Sequence, residues 1–264
     1  MKAKDIMNDL FSLAIEREYW VEGDSLKAGN SEAEVKKVAV TMFPTVKVIK
    51  ESAEWGADLL IVHEPLYYSD TNELCENDKV AIAKKKIVDE SGLTIYRFHD
   101  HPHYTVPDII AAGEFKAMGL KGKLETTNVF DLVRFHLEEP ITAYELAKLI
   151  EEKMGVKHVR ICGATDIPST ILSGVFGSGG KPTFSELKSD EGEIVLAGET
   201  CEWAYAEYAR DAAELGFNKS LLILGHAGSE RDGMIYTAEI LKNMHPELDV
   251  KYFECGEVYT YTDK

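Results

Sequence analysis

The stretch LLILGHAGSERDGM, residues 221–234, decides the fold of this chain. It begins with four apolar residues, a pattern typical of a buried strand, and passes through Gly225 to His226 and Glu230. In open α/β sheets, side chains that follow a strand collect at its carboxyl end, where they are free to bind ligands. We therefore predict that His226 and Glu230 converge on one metal ion. An isolated histidine and glutamate at this spacing is more often a surface pair, so the prediction depends on two further stretches.

Two other apolar runs also end in side chains that can bind a metal. Residues 57–68, ADLLIVHEPLYY, end their apolar run at His63 and Glu64. Residues 93–103, LTIYRFHDHPH, are predicted as a strand that ends in four polar residues, namely His99, Asp100, His101 and His103. Five of the eight histidines lie in these three stretches, which a random scatter would not produce. Imidazole and carboxylate together suit zinc, iron, manganese or nickel, and the sequence has no paired cysteines for a thiolate site.

The alternation of predicted elements indicates the fold class. In the first half we predict a helix over residues 4–18, a strand over 35–40, a helix from Pro44 to Gly56, the strand before His63, a helix over 78–91 and the strand before His99. This order is that of a parallel α/β unit with helices covering the sheet. Two α/β units, residues 1–127 and 128–264, are predicted to share one metal site.

The second half shows the same kinds of element. We predict strands over 128–137, 158–162, 170–175, 193–197 and 250–254, and helices over 142–153, 200–215 and 234–244. The glycine-rich loop GVFGSGGKP, residues 174–182, fails the Walker pattern because Val175 and Pro182 replace required residues. It is either a close-approach loop near the site or a plain turn. Glu199, at a strand end, is either a neighbour of the metal ligands or an exposed carboxylate.

Composition excludes several functions. A chain of 264 residues with 45% apolar residues can form a substantial core. Its formal net charge of −17 would repel a phosphate backbone, so we expect no direct nucleic-acid partner. No apolar run is long enough to cross a membrane, and the first 20 residues carry charges that do not fit a signal peptide. Four scattered cysteines indicate reduced thiols in a cytoplasmic protein.

The segments GADLLIVHEP, GVFGSGG and GHAGSERDGM resemble the NIF-three-like dinuclear metal centre hexameric family, whose members are often labelled GTP cyclohydrolase I type 2 homologues. The resemblance covers nearly the whole chain. It implies a NIF-three-like α/β fold, two divalent metal ions per chain (zinc, iron or manganese), a nucleotide-like small-molecule substrate and assembly as a homo-hexamer.

The chain departs from the family pattern at two ligand positions. The family usually has two successive histidines after the first strand, where this chain has His63 and Glu64, and it usually has an aspartate where this chain has His103. The two departures exchange a histidine and a carboxylate, so the total of three imidazoles and two carboxylates is conserved. The metal ligands predicted from the resemblance are His63, Glu64, His103, His226 and Glu230. Within the third stretch the ligand stays open, with His103 first and Asp100 second.

Two classes of function remain. In the first, the ions lower the pKa of a bound water towards neutrality so that it attacks the substrate, and His99, Asp100 and His101 carry protons. The sequence patterns show no activated Ser, Cys or Lys that would replace such a water. In the second class, the protein stores, delivers or senses metal without catalysis.

Overall fold

The computed structural model describes residues 1–15, 23–69, 77–127, 129 and 132–262. Contacts divide the chain into two compact units, Met1–Val106 with Met234–Lys264, and Pro107–Gly233. The helices α1 to α9 are Ala3–Phe11, Val46–Trp55, Lys79–Ser91, Asp100–His103, Ile109–Met118, Ala143–Met154, Gly180–Lys188, Glu207–Glu214 and His226–Met244. The strands β1 to β11 are Leu26–Ala28, Lys37–Thr41, Leu59–Val62, Thr94–Arg97, Gly122–Thr126, Val133–Thr142, Arg160–Gly163, Pro168–Val175, Ile194–Ala197, Ser220–Ile223 and Asp249–Tyr252.

The first unit contains a five-stranded sheet in the order β1-β4-β3-β2-β11. The pairs β11 with β2, β2 with β3, and β3 with β4 are parallel, and β1 adds an antiparallel edge. Strands β3 and β4 are buried along their whole length, as expected for a parallel sheet with both faces covered. Helices α2 and α3 make the crossovers between these strands, which gives the predicted α/β arrangement.

The register between β3 and β4 determines which residues leave the sheet together. Val62 is opposite Arg97, and the N–H of Phe98 donates to the carbonyl of Val62 at 2.8 Å. Both strands therefore end at the same edge of the sheet. His63 directly follows β3, His99 is the second residue after β4, and the two lie at that edge as neighbours.

The second unit contains a six-stranded mixed sheet in the order β5-β6-β8-β9-β10-β7. Strands β8, β9 and β10 are parallel, and β5, β6 and β7 pair antiparallel to their neighbours. Its core includes the stacked rings of Phe115 and Phe135, whose centroids are 4.5 Å apart. A Cβ at Gly113 would lie 2.5 Å from the Cα of Gly233, so α5 and the first part of α9 pack backbone against backbone.

Several elements differ from the sequence predictions. Helix α1 ends at Phe11, whereas a helix over 4–18 was expected, and residues 16–18 lie outside the described ranges. The strand predicted before His99 is Thr94–Arg97, and the chain then turns into the short helix α4, Asp100–His103, which was not predicted. The last helix begins at His226 rather than at 234, and a short π-helical turn, Glu202–Ala206, replaces the start of the helix predicted over 200–215.

Other elements had no prediction or different bounds. Helix α5 and strands β1 and β5 were not predicted. The strand predicted over 128–137 is Val133–Thr142, and residues 128, 130 and 131 lie outside the described ranges. The units also differ from the predicted halves, since β11 pairs with β2 and so brings the end of the chain into the first sheet.

The structure bears on the membrane and cysteine predictions. Across the described residues, no helix is long and apolar enough to span a bilayer. Cys162, Cys201 and Cys255 are free thiols, as predicted, and Cys75 lies outside the described ranges.

A buried ion pair ties β6 to α7 in the second unit. The Arg134 guanidinium donates to both carboxylate oxygens of Glu186, at 2.9 and 3.0 Å, and the Ser173 hydroxyl donates to the same carboxylate at 2.7 Å. Burial opposes ionisation of Glu186, but these hydrogen bonds hold the pKa of its carboxyl below the ordinary 4.5.

We predict that Arg134→Ala lowers the free energy of unfolding by about 3 kcal/mol, because it leaves the Glu186 carboxylate buried without its cation. Urea denaturation at pH 7 measures this. Arg210→Ala, which removes an exposed pair with Glu207, is the control and should change stability by less than about 1 kcal/mol.

The same pair predicts a pH dependence. Since the folded-state pKa of Glu186 is depressed, its stabilisation is present above about pH 4.5 and is lost as the pH falls through the folded-state value. The stability difference between the wild type and Glu186→Gln should therefore shrink on acidification below pH 4.5. A difference that stays constant from pH 7 to pH 3 would contradict this account.

Candidate metal centre

His63 is the first residue after β3 and is fully buried. Its backbone N–H donates to the carbonyl of Met42, and its ring Nδ1 lies 3.1 Å from the carbonyl of Phe98. A carbonyl can only accept, so Nδ1 carries the proton and Nε2 carries the lone pair. A histidine whose Nδ1–H is held by a backbone carbonyl is in the tautomer that metal-binding histidines commonly use.

Glu64 follows His63 and lies between two basic side chains. One carboxylate oxygen is 4.0 Å from the Arg97 guanidinium, and the other is 3.7 Å from Nε2 of His99. Arg97 in turn donates through Nε to the carbonyl of His63 at 3.1 Å. Arg97 therefore fixes the turn that carries both His63 and Glu64.

His99 and Asp100 form a second pair at the end of β4. Nδ1 of His99 is 2.8 Å from Oδ1 of Asp100, and the His99 ring lies 4.5 Å from the His63 ring between centroids. One donor atom from each of His63, Glu64 and His99 lies within 4.8 Å of the other two, and this spacing suits ligands of one ion. His99, which the sequence assigned to proton transfer, is thus positioned as a ligand.

His103 is buried at the end of α4, with its ring centroid 5.4 Å from that of His63 and 6.1 Å from that of His99. The short helix α4 turns the chain so that His99 and His103 both approach His63. The preference for His103 within this stretch stays a prediction, and His99 joins it as a candidate.

His101 is held differently from the other three residues of its stretch. Its ring packs 4.1 Å from the Phe11 ring, and its Nδ1 makes a short contact with the carboxylate of Asp24. The buried Asp24 side chain also accepts the backbone N–H groups of His99, Asp100 and His101 at 2.6, 2.8 and 2.9 Å. Burial opposes ionisation of Asp24, but these hydrogen bonds keep its carboxyl pKa below the ordinary value.

The second unit carries the other predicted ligands on the first turns of α9. Nδ1 of His226 lies 2.7 Å from the Glu199 carboxylate, and Nε2 lies 3.2 Å from the Glu230 carboxylate. The helix explains the spacing, because residues i and i+4 lie on one face. When Nδ1–H of His226 donates to Glu199, the lone pair of Nε2 faces a carboxylate oxygen of Glu230. A cation or a proton between Nε2 and this oxygen relieves their repulsion. Glu199 is an exposed carboxylate that also contacts His226, so it can orient this imidazole, and its role as a neighbour of the metal ligands stays a prediction.

The glycine-rich loop approaches Glu230 closely. Gly177 has a φ of +60°, and a Cβ there would lie 2.6 Å from Oε1 of Glu230. Its N–H donates to the hydroxyl of Ser229 at 2.9 Å, and its carbonyl accepts the N–H of Glu199 at 2.8 Å. The prediction of a close-approach loop is confirmed, since a side chain at Gly177 would displace the carboxylate.

Sequence reasoning found the candidate ligands but missed Asp24 and Arg97, which hold them in place. Arg97 is the last residue of a strand and has no local signal of its own. Asp24 lies in a polar loop that the sequence analysis treated as a connection. Both were missed because their partners are distant in the sequence.

We predict that Asp24→Asn weakens zinc binding about 10- to 100-fold, the range typical of groups that orient metal ligands. The amide removes the charged acceptor that three N–H groups and His101 share. Competition with a chromophoric chelator measures the affinity, and urea unfolding of the chelator-treated protein measures the separate effect on stability. The control is Asp89→Asn, which removes an exposed carboxylate of α3. An unchanged zinc affinity in Asp24→Asn would remove Asp24 from this role.

The sequence of this chain is similar to those of several known proteins. Residues 1–257 match the family described as Duf34/NIF3 (NGG1p interacting factor 3). The chain is 24% identical over 267 residues to the "GTP cyclohydrolase 1 type 2 homolog" of Clostridium perfringens, with 97% of each chain covered. It is 31% identical over 102 residues to the protein of the same name in Methanocaldococcus jannaschii, which covers 38% of this chain and 40% of that one.

Solved structures with the same fold are also similar. The Staphylococcus aureus hypothetical protein SA1388 aligns with a TM-score of 0.76 at 18% identity and covers 99% of each chain. HcgD from Methanocaldococcus jannaschii aligns with a TM-score of 0.72 at 19% identity and covers 96% of this chain and 97% of that one. At these identities the likeness shows the fold. Because the family match extends over almost the whole sequence, the chain belongs to the DUF34/NIF3 family.

Proposed function

We propose that the protein is a divalent-metal-dependent hydrolase that acts on a nucleotide-like small molecule. The observation that carries the proposal is the convergence of His63, Glu64 and His99 within 4.8 Å, with the lone pair of His63 directed by a backbone carbonyl. The names of the curated relatives, GTP cyclohydrolase 1 type 2 homologs, support the substrate class.

The donor set fits a divalent ion of the zinc, iron or manganese type. Three of the candidate donors in the first unit are imidazoles and one is a carboxylate, and the second unit offers one of each. Imidazole nitrogen and carboxylate oxygen are the ligands these ions share. We propose that His63, Glu64, His103, His226 and Glu230 hold two ions per chain, with His99 as a further candidate ligand beside His63 and Glu64.

Within this proposal the chain's own residues divide the work of binding and proton transfer. A bound divalent ion would supply Lewis acidity, which polarises the substrate and makes a water more acidic. Asp100 is the proposed proton-transfer residue because its Oδ1 lies 2.8 Å from Nδ1 of His99, itself beside His63 and Glu64. Its other oxygen, Oδ2, has no hydrogen-bond partner among the described residues. His101 is tied to Asp24 and His99 is itself a candidate ligand, so we assign the proposed proton transfer mainly to Asp100.

A homo-hexamer is part of the same proposal, on the strength of the family resemblance. Light scattering of the purified chain measures the oligomeric state. Metal storage, delivery or sensing is the alternative outcome of the experiments below.

Metal binding is tested first. We predict about two ions per wild-type chain after refilling with zinc or manganese and gel filtration, and a clear loss in His63→Ala and in Glu230→Ala, because the remaining ligands no longer complete the preferred geometry. Elemental analysis measures the content. His136→Ala is the matched control, since His136 is half-exposed and pairs with Glu125 at a sheet edge. Less than about one ion per wild-type chain, or unchanged content in the ligand variants, would overturn the metal centre.

Catalysis is tested second, with GTP and other nucleotides in the presence of zinc, manganese or ferrous iron. We predict that Asp100→Asn lowers turnover about 100-fold or more while metal content is unchanged, because the amide cannot take up a proton. His226→Ala should lose both metal and activity, and it controls for contaminating enzymes. Turnover equal in the wild type and His226→Ala would assign the activity to a contaminant. Absence of turnover with every substrate and metal would favour the alternative of metal storage, delivery or sensing.

A further inference from the structure

A cavity of about 610 Å³ lies in the first unit, beside the candidate metal ligands. Its walls come from the start of α2, from the segment after β3, which includes Glu64, and from α3. The lining residues are Phe43, Pro44, Thr45, Val46, Glu64, Pro65, Tyr68, Ser69 and Lys84. Lys84 is the one basic residue among these described lining residues, in a chain whose net charge is −17.

Lys84 differs from the two lysines that follow it on α3. Lys85 and Lys86 are exposed and pair with carboxylates one turn later, Asp89 at 2.6 Å and Glu90 at 3.7 Å. Lys84 has Val88 at the corresponding position, and only 4% of its surface is exposed. Among the described residues its ammonium has no carboxylate partner and no hydrogen-bond acceptor, and its contact is the Tyr68 ring at 4.8 Å from the centroid.

A buried ammonium with only an aromatic partner is costly. A lysine in such a position loses hydration, and a cation–π contact replaces only part of the lost stabilisation. Burial lowers the pKa of Lys84 to about 8, so the amine still carries its proton at neutral pH. An anionic group in the cavity would provide the missing counter-charge.

Two further features of the walls suit the same ligand. The amino-terminal end of α2 faces the cavity through Thr45 and Val46, and a helix amino terminus carries partial positive charge. Tyr68 lines the cavity, its ring lies 4.8 Å from Nζ of Lys84, and 64% of its surface is exposed. An aromatic face next to a cation suits a planar ring that bears an anionic group.

We propose that this cavity binds the anionic end of the protein's small-molecule ligand, a phosphate or carboxylate held by Lys84 and the start of α2, with the planar part of the ligand against Tyr68. Glu64 is the lining residue that belongs to the candidate metal ligands, and Arg97 and His99 flank its carboxylate. The orientation of the ligand, with its uncharged part towards Glu64, rests on the proposed function. The anion subsite itself does not depend on metal.

The experiment uses the full chain after chelator treatment, so that metal makes no contribution. Guanosine 5′-monophosphate, pyrophosphate, orotate and guanosine are titrated by calorimetry at constant ionic strength. We expect Lys84→Met to weaken binding of the anionic probes at least tenfold and to leave guanosine unchanged. Methionine keeps most of the apolar stem and removes an unpaired buried charge, so the variant should fold. Its thermal unfolding checks this.

Lys85→Met and Lys86→Met are the matched controls, because each removes one positive charge from the same helix without touching the cavity. They should leave the affinities unchanged within about twofold, whereas Lys84→Arg should retain part of the binding. Lys84 dependence with guanosine 5′-monophosphate or pyrophosphate assigns a phosphate, and Lys84 dependence with orotate alone assigns a carboxylate. Absence of binding by all three anionic probes, or equal binding by the wild type and Lys84→Met, would overturn the subsite.

The result separates this inference from the proposed function. Lys84-dependent binding in a chain that takes up no metal would support the subsite and oppose the hydrolase. A metal-loaded chain that hydrolyses a nucleotide but shows no Lys84-dependent binding would support the hydrolase and overturn the subsite.

Discussion

The parallel register of β3 and β4 is the constraint on which the first half of the candidate centre depends. It places Val62 opposite Arg97, so the two strands end together, and the carbonyl of Phe98 is brought to Nδ1 of His63. One interaction thereby fixes both the position and the tautomer of the imidazole. A slip of one residue would turn the side chains of β4 to the other face of the sheet and would remove this carbonyl from His63.

The sequence predicted the elements whose signal is local. The strands before His63 and His226 were found because continuous apolar runs ended in polar residues, and the capping box at Thr142 located the start of α6. Helix α5 was missed because it is apolar around most of its circumference and gives no helical period. The pairing of β11 with β2 joins residues more than 200 positions apart, and no local pattern encodes it.

The sequence predicted which types of residue form the candidate site, but it did not predict how these residues are arranged in space. The three stretches rich in histidine and carboxylate were visible in the sequence, whereas the assignment within FHDHPH was not, because it depends on the turn of α4. That turn in turn depends on Asp24, whose carboxylate gathers three consecutive N–H groups from about 75 residues further along the chain. No local pattern around Asp24 or around residues 99–101 indicates that these residues are hydrogen-bonded in the fold.

Four buried ionisable side chains, those of Asp24, Glu186, Glu114 and Lys84, show how the fold treats charge. Asp24 is stabilised by N–H groups and Glu186 by Arg134. Burial and the nearby carboxylate of Asp232 raise the pKa of Glu114 well above its usual range, which favours its neutral form, and one of its oxygens accepts N–H groups of α9 at 2.7 and 3.1 Å. Lys84 has only an aromatic ring beside it in the described part of the chain. Since the other three groups are each compensated by the protein itself, the compensation of Lys84 is best sought in a ligand that enters the cavity which it lines.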